Sequence, residues 1–189
     1  MRNIKLIIEY DGTAYNGWQR QADVLTIQQV MEDTLSRIVN DKVVLIASSR
    51  TDTGVHALNQ VANFRTSTKL PLRNLHLGAN SLLPPDIVVR EMSEVPWDFH
   101  SQYHARGKIY HYRIYNNPVR AALARGICWF VDRPLDIEAM GRAPGQLQGT
   151  KDFNAFVELL KTQGDVQVLS SPRVSTLNNQ KAVIKVGTD

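Results

Sequence analysis

Between Asn3 and Tyr10 the chain alternates, with Ile4, Leu6, Ile8 and Tyr10 on one side and Asn3, Lys5, Ile7 and Glu9 on the other. Period-two alternation of this kind marks a strand with one buried face. Such a strand needs a sheet, and the sheet needs a second layer to cover it. The next segments supply that layer. Thr26 and Gln29 form a capping-box pattern, and Ile27, Val30, Met31, Leu35 and Ile38 fall on one helical stripe. Val43-Val-Leu-Ile46 reads as a buried strand and Leu58 to Phe64 as an alternating one. Pro71 suits the first turn of a second helix whose apolar face is Leu72, Leu75, Ala79 and Leu82, stopped by Pro84-Pro85. Ile87 to Met92 reads as another strand. The order β-α-β-β-α-β is a split βαβ arrangement, with helices on one face of a mainly antiparallel sheet and the other face left for a ligand.

From Gly107 the pattern restarts. A strand through Lys108 to Tyr115 and a short apolar run at Ile127 to Val131 come first. A helical spacing from about Asp136 follows, interrupted by Gly141, Pro144 and Gly145. Phe153 to Val157, Arg173 to Leu177 and Ala182 to Val186 are further strand candidates. We therefore expect an N-terminal lobe over residues 1–105 and a C-terminal lobe over 106–189. The second would repeat the first architecture without its closing helix and strand, although no repeat of fixed period is visible.

Hydrophobic residues make up 43% and charged residues 21% of the 189, the balance of a globular chain rather than a disordered one. The net charge of +4 is compatible with a polyanionic partner without requiring one. Cations and aromatics interleave in Tyr103-His-Ala-Arg-Gly-Lys-Ile-Tyr-His-Tyr-Arg113, as phosphate contacts and base stacking require, though a solvated basic strand face gives the same pattern. Cys128 is the one cysteine, so no intramolecular disulfide and no cysteine-rich zinc site can form. His100 and His104 give the single H-x-x-x-H spacing, and they precede a strand rather than sit on a helix, so no metal is expected. No signal-peptide pattern and no membrane-length apolar run is visible, which suggests a cytoplasmic chain.

The octapeptide Arg50-Thr-Asp-Thr-Gly-Val-His-Ala57 follows the Val43 strand and presents Asp52 in the loop at its exit. Residues two apart in an extended segment point the same way, which places Arg50 to reach the Asp52 carboxylate. A guanidinium there would hold the carboxylate ionised and oriented, as a nucleophile requires. The competing reading is a turn, with Asp52 accepting backbone N–H bonds and Gly54 supplying positive φ.

The octapeptide resembles the active-site motif of the TruA family of tRNA pseudouridine synthases. The likeness extends to Tyr10-Asp-Gly-Thr-x-Tyr-x-Gly-Trp-Gln19 with Gln21, to Thr26-Ile-Gln28, to Gln60-Val61 with Phe64, and to Phe99-His100, Lys108-Ile-Tyr110 and Gly149-Thr-x-Asp-Phe-x-x-Phe156. The resemblance implies two ferredoxin-like, RRM-like lobes sharing one sheet. The activity implied is isomerisation of uridine to pseudouridine in the tRNA anticodon stem-loop, without cofactor, metal or nucleotide energy source, by a homodimer that tRNA spans. It implies Asp52 as the catalytic carboxylate and Tyr110 as the tyrosine against the target base; a core-facing strand tyrosine is the alternative for the latter. Arg50 would anchor Asp52 and help lever the nucleotide from its stack. Trp18, Gln19 and Arg20 would touch RNA from the first loop, with a packed tryptophan at the loop base as the other reading of Trp18. Thr51, Gly54, Val55 and Lys108 complete the expected substrate-contacting set together with His56, whose role reads as more structural than catalytic.

The family pattern is not complete. The closing amphipathic helix and final strand are missing, Ser49, Gln102 and Lys151 stand where relatives tend to carry glycine, arginine and histidine, and Ala143-Pro144 breaks a helix. These departures suggest a truncated chain, and they admit a tRNA-binding relative that has lost turnover. A different class of enzyme is also suggested, because Glu9-Tyr-Asp-Gly-Thr13 resembles the D-x-D-G-T signature of magnesium-dependent haloacid-dehalogenase-like phosphohydrolases. Glu9 replaces the nucleophilic aspartate there, and Gly164-Asp165 lacks the spaced second acid.

Overall fold

The computed structural model describes residues 1–147 and 181–184 of the chain. Two compact units divide it, Met1–Ala105 and Arg106–Asp189. The first runs β1 (Arg2–Tyr10), α1 (Ile27–Val39), β2 (Ile46–Ala47), β3 (Ala57–Thr66), α2 (Leu72–Leu82) and β4 (Ile87–Val95). The strands lie in the order β2-β3-β1-β4, every neighbour antiparallel. That is the split βαβ topology expected from the alternation.

Ile4, Leu6 and Ile8 are fully buried and Tyr10 nearly so, packed in one cluster with Met31 and Leu35 of α1 and Leu75 and Ala79 of α2. Each such aliphatic side chain removed from water contributes about 2 kcal/mol. Thr26 caps α1 by accepting the Gln29 N–H, and Asn40 ends it in the left-handed region at φ 51°. On α2, Leu82 is exposed rather than inward, and Leu83 beyond the helix is buried in its place.

The buried strand expected from Val43 is shorter, because only Ile46–Ala47 pair with β3. Side chains of α1 satisfy the backbone upstream. Val43 N–H donates to Ser36 Oγ at 2.9 Å, Leu45 N–H to Glu32 Oε1 at 2.9 Å, and Gln28 Nε2 to the Leu45 carbonyl at 3.3 Å. Val43 and Leu45 are still buried while Val44 points outward.

The face turned away from the helices is not wholly free. Asn63 Nδ2 donates to Asn3 Oδ1 at 2.9 Å, Ser101 donates to Asn63 Oδ1 from both N and Oγ, and Asn3 Nδ2 reaches the carbonyls of Pro96 and Phe99. This buried polar network pins the Pro96–Ser101 segment to the sheet. It is fully satisfied, as a buried network must be to stabilise rather than cost.

In the second unit, β5 (Gly107–Tyr110) pairs in parallel with β8 (Lys181–Ile184), and β6 (Ile114–Asn116) in parallel with β7 (Trp129–Val131). The strand expected across Lys108 to Tyr115 is thus two strands that take different partners. The Asn117–Cys128 connection is long enough for the crossover a parallel pair needs. A helix, α3 (Ile137–Leu147), begins with Asp136 Oδ1 accepting the Ala139 N–H and continues across Gly141, Pro144 and Gly145. Phe153 to Val157, Arg173 to Leu177, Lys151 and Gly164-Asp165 lie outside the described residues. Taken together, the described sheets make a mixed α/β fold, mainly antiparallel.

Candidate active site

The loop after β1 and the loop after β2 are fitted to each other backbone against backbone. A Cβ on Gly12 would lie 2.1 Å from the Val55 carbonyl oxygen, and one on Gly17 would lie 2.6 Å from that of Thr51. Only glycine allows approaches that close. Hydrogen bonds lock the fit: Trp18 N–H to the Thr51 carbonyl at 3.0 Å, Gly54 N–H to the Tyr15 carbonyl at 3.3 Å, and Tyr10 Oη with Thr51 Oγ1 at 2.7 Å. Tyr15 Oη in turn donates to Asp86 Oδ1 at 2.7 Å, and the Asp11 N–H to the Asp86 carbonyl at 2.9 Å. Gln60 Nε2, on β3, holds the Ser49 carbonyl at 2.6 Å. The octapeptide is therefore gripped from both flanks.

Asp52 opens a turn. Its carbonyl accepts the Val55 N–H at 3.2 Å, and Gly54 has φ 77°, the positive value a type II turn requires at its third position. The turn reading of the motif is thus correct for the backbone, but it leaves the side chain unexplained. Among the described residues the Asp52 carboxylate accepts no hydrogen bond and forms no ion pair, and the residue is exposed. Arg50 is exposed and likewise unpaired, so the expected Arg50–Asp52 bridge is absent among the described residues. The two-apart rule holds only inside a strand, and β2 has ended at Ala47.

His56 sits at the far end of the octapeptide, with Nδ1 3.2 Å from the Gly12 N–H and 3.0 Å from Asp11 Oδ1. One nitrogen cannot serve both at once. A bare Nδ1 accepts from Gly12, and a protonated one donates to Asp11. The Asp11 carboxyl is held below its ordinary value first by the Thr13 hydroxyl and N–H, and to a lesser degree by His56. Through these two contacts His56 ties the octapeptide to the first loop.

The first-loop residues expected to touch RNA fare differently. Trp18 needs correction as an RNA contact, since its ring is 1% exposed and packs 5.9 Å from the Tyr10 ring. The Arg20 guanidinium is held between Glu32 Oε2 and Asp33 Oδ1, each at 3.1 Å, and its pKa is raised by them. Gln19 is half-buried beside a cavity of about 460 Å³ lined also by Gln28, Glu32, Ser36 and Lys42. Neither Asp52 nor Arg50 lines that cavity. Thr51 and Gly54 are partly exposed and Val55 exposed, on the same loop as Asp52. Tyr110 and Lys108 lie on β5 in the second unit, Tyr110 half exposed and Lys108 less so. Tyr110 therefore does not have the buried ring of a core tyrosine.

Residues to which the sequence assigns no part in the site carry its geometry: Tyr10, Gly12, Tyr15, Gly17 and Gln60 of the matching segments, and Asp86, which lies outside them. The signal for two of them was present, because glycines placed in a loop that also bears an aromatic cluster mark close backbone approach. In the phosphohydrolase reading Glu9 would attack, but its carboxylate is paired with Arg90 at 2.7 Å, and among the described residues no group of three or more His, Cys, Asp or Glu converges.

Comparison with known proteins bears on the same loops. A family model described as tRNA pseudouridine synthase matches residues 6–104, which include both loops. A protein of Thermoanaerobacter sp. (strain X514) named tRNA pseudouridine synthase A is 47% identical over 156 residues, 82% of this chain and 64% of that protein. Proteins of the same name from Acetivibrio thermocellus and Geotalea daltonii are each 49% identical over 156 residues, again 82% of this chain and 64% of theirs. The chain spans under two thirds of the length of these relatives.

Proposed function

The chain belongs to the tRNA pseudouridine synthase family, and on that premise we propose that it isomerises uridine to pseudouridine in the anticodon stem-loop of tRNA. The observation that carries the reading is the Asp52 carboxylate: exposed, without a partner among the described residues, on a loop whose backbone is fixed from both sides. Among the described residues Asp11, Glu9 and Glu32 are bonded into the fold, whereas Asp52 is not. A carboxylate left bare on a rigid support is the arrangement a reacting group needs.

The reaction breaks the N1–C1′ bond, turns the uracil in place and rejoins it through C5. Asp52 serves it by covalent attack at the sugar or the base, or by deprotonating the ribose toward a glycal. Arg50, two residues away and uncommitted among the described residues, pairs with a backbone phosphate of the displaced nucleotide or with Asp52 once RNA is bound. Tyr110 stacks on the target uracil, and Lys108 beside it meets phosphate. Thr51, Gly54 and Val55 present the loop surface. The half-exposed Tyr110 ring is the support for its part. The reading brings with it, from the family, a homodimer spanned by tRNA and work in the cytoplasm. Among the described residues no helix is long and apolar enough to cross a membrane.

The test incubates the chain with unmodified tRNA transcripts and maps pseudouridine by position. Product confined to the anticodon stem-loop supports the proposal. Binding of tRNA without product favours a relative that has lost turnover.

A further inference from the structure

A catalytic carboxylate with no side-chain partner is positioned by its backbone alone, so whatever fixes the neighbouring residues fixes the chemistry. Thr51 precedes Asp52 and is held at two points. Its carbonyl accepts the Trp18 N–H at 3.0 Å, and its hydroxyl meets Tyr10 Oη at 2.7 Å. The first contact would survive many side-chain changes, since it is backbone to backbone. The second depends on one phenol. Tyr10 is the last residue of β1, 2% exposed, with its ring against Trp18 and its register set by pairing with Ala57 and Ile87.

We propose that Tyr10 is a positioning residue for Asp52, its buried hydroxyl transferring the rigidity of the sheet to the reacting loop through Thr51. The inference rests on the reading in which Asp52 reacts with RNA. Tyr10 lies below the loop in the core and is assigned no contact with substrate. Burial pushes its phenol up to about 12, against a smaller opposing effect of the Thr51 hydrogen bond. The phenol therefore keeps its proton, and with it the tie, across the neutral range.

Tyr10→Phe removes the hydroxyl and keeps the ring that packs on Trp18. Thr51→Val removes the partner in a side chain of the same shape, and Thr51→Ser keeps the hydroxyl. The measurements are the single-turnover rate of pseudouridine formation, tRNA affinity, and amide hydrogen exchange at Gly54 and Val55. Tyr10→Phe is expected to lower the rate about 10- to 100-fold, the scale of a small misplacement of a reacting group, with tRNA affinity within about two-fold. Exchange at Gly54 and Val55 should quicken about five- to ten-fold, the size of one lost hydrogen bond. Thr51→Val should do the same, the double variant should lose no more than either single one, and Thr51→Ser should keep more of the exchange protection at Gly54 and Val55 than Thr51→Val does.

Wild-type rate and wild-type exchange in Tyr10→Phe would overturn the proposal. So would losses that multiply in the double variant, or a rate loss matched by a loss of tRNA affinity. Absence of product from the wild-type chain counts against the enzymatic reading instead, and the exchange measurement then decides alone: unchanged protection in Tyr10→Phe overturns the tie, and lost protection upholds it.

Discussion

Asp11 and Asp52 stand on facing loops, each within two residues of a glycine, and the chain treats them in opposite ways. The Asp11 carboxylate is bound to the Thr13 N–H at 2.9 Å and the Thr13 hydroxyl at 2.6 Å, and it meets His56 at 3.0 Å. The Asp52 carboxylate has no such partner among the described residues. Asp11 shapes its loop, which is why its acid is already accounted for. Asp52 contributes to its own turn only through a carbonyl, so the acid remains available. Among the described residues no buried side-chain nitrogen or oxygen lacks a hydrogen bond. A chain that satisfies its buried polar groups so completely, and holds the bare Asp52 carboxylate on a loop fixed from both sides, separates building from reacting.

The sharpest way to break this contrast is to attack the fit between the loops. Gly12→Ala places a methyl 2.1 Å from the Val55 carbonyl oxygen, a backbone atom that can yield only if the loops shift. It should cost about 3 kcal/mol or more of unfolding free energy, the upper range for overpacking. Urea denaturation checks this, and a wild-type midpoint would mean that the loops do not meet backbone to backbone.

Smaller in effect is Tyr15→Phe, which strips one hydrogen bond from Asp86 beneath the first loop. A loss of about 1–2 kcal/mol is expected from the same denaturation measurement, the usual result of removing one partner of a charged, part-buried bond. An unchanged midpoint would make the Tyr15–Asp86 contact incidental.

Asp11 itself comes next. Its folded pKa lies below the ordinary value, chiefly through Thr13, so its contribution to stability is present above the unfolded value of about 3.9 and fades as pH falls through the folded one. The group is mostly exposed, and solvent screening keeps the contribution to a few tenths of a kcal/mol. Thermal melts of wild type and Asp11→Asn should differ at neutral pH and converge in acid. Curves that stay parallel below about pH 4 would remove Asp11 from the account.

Features within a few residues of one another were readable in the sequence, whereas those made across the fold were not. The alternation of Ile4, Leu6, Ile8 and Tyr10, and the Thr26-capped stripe of α1, are local patterns, and both elements form where expected. The Val43 strand is shorter than its apolar run suggests because Glu32 and Ser36, on α1, take backbone bonds that a neighbouring strand would otherwise take. An aromatic in a polar loop such as Trp18 suggests an exposed RNA contact, and only the fold shows it against Tyr10. The Arg50–Asp52 bridge presupposes strand geometry, and β2 ends before Arg50. The strand from Lys108 was split by partners that periodicity does not name. Position in the chain thus told which loop carries Asp52, but not what holds that loop or that its carboxylate is bare.

The smallest expected change in stability belongs to Asp52. As an exposed residue without a side-chain partner among the described residues, its replacement by Asn should leave unfolding free energy within about 0.5 kcal/mol. That near-silence in folding makes it the decisive position. The most direct test compares wild type and Asp52→Asn on unmodified tRNA transcripts under single-turnover conditions. Pseudouridine formed by the wild-type chain, with none detectable from an Asp52→Asn variant that still folds and binds tRNA, is the predicted outcome. Pseudouridine formed by Asp52→Asn at a comparable rate would contradict it.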